Sequence, residues 1–388
     1  MDSIKQGIIL LIKSALTGES YALPEGFSWE DAESLIKKNN AFQLCFTGAV
    51  NCGITENIAN FDYLQDQYCV RYVRSELQME QVDRVCQAFE KKGIQYMPVK
   101  GSLMKKLYPS HELRTMGDAD ILIQESQYPQ IREIMIELGY EEKIDSSDYD
   151  YTWIHPNLHI ELHKHLFSSY FSDYARYFGD IWSRATNIGG NRWALRDEDL
   201  FVYYFTHFVK HFRFGGIGCN HATDLWVYKH THPDLDENYI LKQMEVLSMG
   251  AFYKNVCRLL SAWFENGSWD DITEKISELL FGGTWGTREN YEIAQSIKIM
   301  QEENVDIAGS RKKQIKKLLF PTKDELTLSH PKLAKLPLPI AWVARGMNVL
   351  IYRRKTIQHQ HKILTGHSDD KITQRKEEME TIGLRFSK

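Results

Sequence analysis

The chain has 388 residues, 43% hydrophobic and 26% charged, a composition that suits a soluble globular protein of two or three domains. No apolar run approaches the roughly 20 residues a membrane span needs, and six cysteines without CxxC pairing exclude a disulfide framework and fit a cytoplasmic compartment. The net charge of −5 conceals an asymmetry: residues 311–388 carry 18 Lys and Arg against 7 Asp and Glu (+11), and residues 1–310 carry 29 against 45 (−16). A basic tail of this kind suits phosphates, a nucleic acid, an anionic membrane surface or the acidic body of its own chain.

In chain order, MDSIKQGIILLIKSALTGES reads as an amphipathic helix and not a signal peptide, because Lys5 and Lys13 bracket its apolar stretch and no small-residue cleavage site follows. SWEDAESLIKKNN opens a helix with Ser28 as N-cap and Asp31 three residues on. From Tyr63 to Lys92 the apolar residues Val70, Val73, Leu77, Met79, Val82, Val85 and Phe89 recur at helical spacing, and Gly93 ends the run. The period then changes. IQYMPVK is a strand, GSLMKKLY a helix that stops before Pro109, ADILIQ a strand, and Tyr128–Tyr140 a helix closed by Gly139. Asp148 to Leu166 alternates like a hairpin turning at Pro156-Asn157. Beyond Phe171 helices return to about Phe281, prolines punctuate a looser C-terminal region, and the final charged stretch is either frayed or a peripheral helix.

The chemistry concentrates in KGSLMKKLYPSHELRTMGDADILI (Lys100–Ile123). Side chains alternate along a strand, so Asp118 and Asp120 project to one face while Ala119, Ile121 and Ile123 pack inward. Two carboxylates so close repel, and a hard divalent cation removes that repulsion. In LHIELHKH the same alternation puts His159, Glu161 and His163 on one face, and Glu161 becomes a third carboxylate if its strand neighbours the pair. Three converging acidic oxygens suit two-metal phosphoryl or nucleotidyl transfer. Gly101-Ser102 opens a helix directly after a strand, where exposed N–H groups can hold a phosphate. A lone Asp-x-Asp is more often a solvated strand edge; the Gly-Ser helix start and the later acidic strand raise the catalytic reading above it.

This order of parts resembles the DNA polymerase beta nucleotidyltransferase superfamily. It is more closely similar to an uncharacterised bacterial nucleotidyltransferase family with the pattern KG…Y…R…D-x-D…GY…E-L-H, matched here by Lys100-Gly101, Tyr108, Arg114, Asp118 and Asp120, Gly139-Tyr140, and Glu161-Leu162-His163. The resemblance continues through His207, His211 and Asp224 into Leu319–Gly346. Two departures are a slightly longer spacer between Ser102 and Asp118 and Ala119 in place of a larger aliphatic residue; neither removes a metal ligand. The resemblance implies an α+β fold, a small mixed β-sheet nucleotidyltransferase core flanked by an N-terminal helical segment and a C-terminal helical domain. It also implies an NTP donor with Mg²⁺ or Mn²⁺, and leaves the acceptor unnamed.

The expected divisions are an N-terminal helical segment over 1–93, the core over 94–170, a helical domain closing the site over 171–310, and a basic helical region over 311–388. Catalysis and metal binding are expected at Asp118, Asp120 and Glu161. Nucleotide binding is expected at Lys100, Gly101, Ser102, Arg114, His163, His207, His211 and Asp224. Lys100 can reach a triphosphate and pair with the aspartates at once; Arg114 can clamp a phosphate or orient a carboxylate. Lys105 and Lys106 read as solvated.

Several features carry bland readings. His207 and His211 share a helical face, which permits zinc but more often lines a polar groove. FGGIGCN (Phe214–Asn220) follows no strand and is a weak phosphate loop. HIELH is a strand and not a zinc-protease helix. Tyr352-Arg353-Arg354-Lys355 suits RNA contact or a plain surface helix. The leading expectation is metal-dependent transfer of a nucleoside monophosphate to a hydroxyl of a small molecule, sugar, protein or RNA end. A tRNA acceptor remains possible but the acidic body disfavours it. The alternatives are a non-catalytic nucleotide-binding or toxin–antitoxin module and a zinc-dependent hydrolase.

Overall fold

In the computed structural model the Asp2 carboxylate accepts the Lys5 N–H and so caps helix α1 (Ser3–Thr17), which Gly18 closes at φ 73°. Residues 1–143, 147–214, 216–282, 288–323, 326, 333–352 and 369–385 are described. They form two units: 1–144, 149–212 and 216–285 make the first, and 145–148, 213–215 and 286–388 the second.

In the first unit, Ser28 caps α2 (Trp29–Lys38) by accepting the Asp31 N–H, as its sequence predicts. Helix α3 (Phe42–Asn51) lies so close to α1 that a Cβ on Gly48 would stand 2.0 Å from the Leu11 carbonyl oxygen. The 32-residue α4 (Phe61–Lys92) departs from its predicted burial. Met79, Val82, Val85 and Phe89 are buried against the sheet, whereas Val70 is 63% and Val73 56% exposed. The sheet core takes only the C-terminal half of this helix, and helical spacing alone could not say where that cover ends.

The sheet follows as β1 (Tyr96–Val99), the short helix α5 (Gly101–Lys105), β2 (Asp118–Ile123), α6 (Tyr128–Glu137), β3 (Glu141–Glu142), β4 (Asp150–Ile154) and β5 (His159–His163). After α7 (Ser172–Tyr177), β6 (Ala185–Gly189) and β7 (Arg192–Leu195) complete it. The order is β3-β4-β5-β2-β1-β7-β6. The sheet is mixed: β2–β5 and β1–β7 run parallel, and the remaining pairs antiparallel. The β6–β7 hairpin corrects the expectation that only helices follow Phe171. Its turn residues, Gly189 and Gly190 at φ 128° and 57°, are the sequence signal that marks it.

Ala119, Ile121, Ile123, Ile160 and Leu162 face one side of this sheet and join α4 and α6 in the core. Each fully buried aliphatic side chain there contributes roughly 1.5–3 kcal/mol. That apolar face fixes the register, and the register leaves Asp118, Asp120, Glu161 and His163 on the other face. Helices α8 (Asp197–Arg213), α9 (Cys219–Thr231), α10 (Glu237–Val246), α11 (Gly250–Phe264) and α12 (Asp271–Leu280) follow.

In the second unit, Asp306 caps α14 (Ile307–Leu319) behind α13 (Arg288–Glu303), and Gln314 Nε2 donates to Ser296 Oγ at 3.1 Å. Helices Leu338–Tyr352 and Asp369–Thr381 complete it, the latter tied to α14 by an Arg311–Asp369 ion pair of 2.7 Å. The charged C-terminal stretch is therefore helical to Thr381. Arg353, Arg354 and Lys355 lie outside the described residues. No helix among the described residues is long and apolar enough to cross a membrane.

Candidate active site

The site is built by strand register. Antiparallel pairing sets Val99 of β1 opposite Asp120 of β2, and parallel pairing sets Asp118 and Asp120 beside His159 and Glu161 of β5. Asp120 and Glu161 are thus direct cross-strand neighbours on one face.

The chain leaves β1 through Lys100, whose φ of 51° and ψ of −119° are a strained conformation for a residue with a Cβ. That turn brings the Lys100 Nζ back to 2.6 Å from Asp120 Oδ1. Gly101 follows because β2 runs close by: a Cβ there would meet Met116 Sδ at 3.1 Å and the Asp118 carbonyl oxygen at 3.2 Å. The Ser102 hydroxyl is buried and has no hydrogen-bond partner among the described residues. An unsatisfied buried hydroxyl costs about 1–3 kcal/mol, and a phosphate oxygen would satisfy it. Helix α5 is only five residues long, so its dipole adds little beyond the local N–H groups.

His163 lies fully buried beneath the carboxylates, its Nε2 2.7 Å from Asp120 Oδ1 and 3.5 Å from Glu161 Oε2. Burial opposes the charge on Asp120, but Lys100 and His163 outweigh it and hold that carboxyl well below the usual range. Burial likewise opposes the charge on Lys100, and Asp120 outweighs it and raises the ammonium well above its ordinary value. Asp118 differs. Its side chain is open at the surface, yet crowding by protein atoms and then the charges of Asp120 and Glu161 push it up to about 6. Two neighbouring carboxylates are therefore driven in opposite directions, a pattern that marks functional sites.

Asp120, Glu161 and His163 each offer a ligand atom within 4.8 Å of the others, and they are the one such His, Cys, Asp or Glu group among the described residues. Hard oxygen donors beside the Asp118 carboxylate fit Mg²⁺ or Mn²⁺. Lys100 holds the compensating positive charge on Asp120 that a cation would otherwise supply.

The structure assigns Arg114 and Asp224 to each other. Arg114 donates from Nε and Nη2 to the two Asp224 oxygens at 2.8 and 2.9 Å, and Tyr108 donates to Oδ1 at 2.8 Å. Arg114 also reaches the Gly101 carbonyl at 3.3 Å. The bridge braces the Gly101 turn from α9. His207 and His211 face each other on α8 with Nε2 atoms 3.1 Å apart, and no third His, Cys, Asp or Glu ligand joins them among the described residues. Burial is the main force holding both neutral, His207 well below its ordinary value and His211 down to about 3. FGGIGCN leads into α9, with Gly218 at its N-cap and Gly215 outside the described residues.

Lys105 corrects its solvated reading. It is 1% exposed and donates from Nζ to the Arg114 carbonyl at 2.8 Å, and burial pushes it down to about 8. Two further side chains escape a reading of the sequence. Tyr204 donates to the Lys100 carbonyl at 3.4 Å, and Lys210 follows His207 by three residues on the same helix. Both lie on α8, and extending the helical face that carries His207 would have found Lys210.

Residues 25–265 match the model of a family described as an uncharacterised nucleotidyltransferase. That span contains every residue named for the site and ends before Leu319–Gly346, where the resemblance was expected to continue. No curated protein and no solved structure matches the chain.

Proposed function

Since the chain belongs to this uncharacterised nucleotidyltransferase family, we propose that it transfers a nucleoside monophosphate from an NTP to the hydroxyl of an acceptor, releasing pyrophosphate. The observation that carries the reading is the registered set of carboxylates: Asp120 beside Glu161 on parallel strands, with Asp118 two residues away on the same face. Asp118, Asp120 and Glu161 would hold Mg²⁺ or Mn²⁺, which when bound supplies charge neutralisation at the phosphates and activation of the attacking oxygen.

The remaining roles fall to the chain itself. His163 orients Asp120 and Glu161 from below. Gly101 lets the backbone approach the phosphates, and Ser102 offers its unpartnered hydroxyl. Arg114, Tyr108 and Asp224 keep that turn in place. Glu161, more open than Asp120, is the candidate to accept the proton of the acceptor hydroxyl.

The Lys100–Asp120 ion pair gives a second reading some footing, because a module that binds nucleotide without turnover could keep its site closed in this way. Calorimetry with each of the four NTPs and Mg²⁺ tests the proposal. Metal-dependent binding is expected for wild type, and a loss of at least about 100-fold, roughly 2.7 kcal/mol, for Asp118→Ala/Asp120→Ala. Binding that the double variant retains would separate the nucleotide from these carboxylates.

A further inference from the structure

Tyr203, His207, Lys210 and His211 share one face of helix α8. Tyr203 marks where that face lies: its ring centroid is 6.0 Å from the Lys100 Nζ, and its buried hydroxyl has no partner among the described residues. Two turns further along stands Lys210. Its Nζ lies 5.2 Å from the Phe171 ring centroid and 6.0 Å from that of Tyr149. Tyr149 in turn lies 5.6 Å from the His163 ring, whose Nε2 touches Asp120. Two aromatic rings, Tyr149 and His163, therefore link Lys210 to Asp120.

Lys210 is partly buried, and among the described residues it has aromatic rings for neighbours but no carboxylate within 4.0 Å. Burial and the charge of Lys100 push it down to about 8, against the pull of Asp120, Glu161 and Asp150. This is a costly way to keep an ammonium unless an anion joins it. Its two ring faces steady the cation and leave its N–H donors unspent. Lys100 is already committed to Asp120, and His207 and His211 are held neutral, so neither offers a spare positive charge. A metal at the histidine pair is disfavoured, since no third His, Cys, Asp or Glu ligand is in reach among the described residues.

We propose that Lys210 is the cation that receives the phosphate chain of the donor nucleotide, its Tyr149 and Phe171 collar aiming the ammonium toward the space in front of Asp118, Asp120 and Glu161. The assignment rests on the nucleotidyltransferase reading and names the part of the substrate bound here: a polyphosphate anion.

The test is calorimetry at pH 7 with Mg²⁺, using inorganic tripolyphosphate and the NTPs as probes, on wild type, Lys210→Met, Lys210→Gln and Lys210→Arg. The expected result is a loss of at least tenfold in affinity for both probes in the Met and Gln variants, with Arg within about threefold of wild type. Two uncharged variants keep the test valid if one of them fails to fold. Affinity unchanged by Met and Gln would overturn the assignment, and so would an Arg variant as weak as they are, because the role would then be packing and not charge. Tripolyphosphate binding that needs Lys210, without NTP binding, would support the anion site and sink the nucleotidyltransferase reading. Wild type that binds neither probe would remove both.

Discussion

At the scale of single residues, Lys100 carries the most information. It accepts a strained backbone so that its ammonium can stand on Asp120, and it thereby takes the electrostatic place of a cation at the head of the site. Replacing it tests that equivalence without any acceptor. Lys100→Met is expected to lose about 3–5 kcal/mol of stability in EDTA, because a buried carboxylate loses one of its two partners. Mg²⁺ should then raise the melting temperature of the variant more than that of wild type, since binding to the native state alone stabilises by mass action. Thermal unfolding with and without Mg²⁺ reads both effects. A variant indifferent to Mg²⁺ would show that no cation occupies the place of the ammonium.

At the scale of elements, the strand pair is what the sequence announces most clearly. The alternation in DADILI and HIELH states which side chains share a face, and β2–β5 pairing puts Asp120 beside Glu161 as that alternation requires. The roles of Gly93, Gly139 and Ser28 at helix ends were also legible, because each rests on a local backbone need. What was not legible depends on partners distant in sequence. Lys105 looked solvated because nothing nearby shows that the Arg114 carbonyl will cover it. The β6–β7 hairpin was overlooked because its strands are short and its core-facing pattern weak. Nothing near Asp224 in sequence shows that folding brings Arg114 to it from 110 residues away.

Helix α4 shows the same limit, and mutations can measure it. Phe89→Ala, in the sheet core, is expected to cost about 3–5 kcal/mol. Val73→Thr, on the exposed half of the same helix, should stay within about 0.5 kcal/mol. Urea unfolding of the two variants decides; comparable losses would mean that the N-terminal half of α4 is covered after all.

At the scale of the whole molecule, pH is the most accessible probe. His211 is held down to about 3, His221 to about 4 and His207 well below its ordinary value, in each case chiefly by burial. Between pH 6.5 and 4 the unfolded chain binds protons at these positions that the native state refuses. Stability therefore falls as pH falls, by up to about 1.4 kcal/mol per pH unit for each histidine. Asp118 acts in the opposite sense, since its native value of about 6 lies above the ordinary 3.8 of an aspartate and favours the folded state on acidification. His155 is lowered as well, while His163 is raised and acts with Asp118, so four groups against two should leave a net loss. Urea unfolding at pH 6.5 and pH 5.0 should show that loss in wild type and a shallower one in His211→Asn; equal slopes would contradict the neutral, buried pair.

The charge asymmetry belongs to this scale too. An acidic stretch of 310 residues is a poor track for a long nucleic acid. The central claim, however, concerns where nucleotide and metal meet. A crystal structure with Mn²⁺ and a non-hydrolysable NTP analogue addresses it directly. The account predicts an anomalous Mn²⁺ peak at Asp118, Asp120 and Glu161, with Lys100 still on Asp120 and the phosphates between Gly101 and Lys210. Mn²⁺ at His207 and His211, or a nucleotide bound away from β2 and β5, would contradict it.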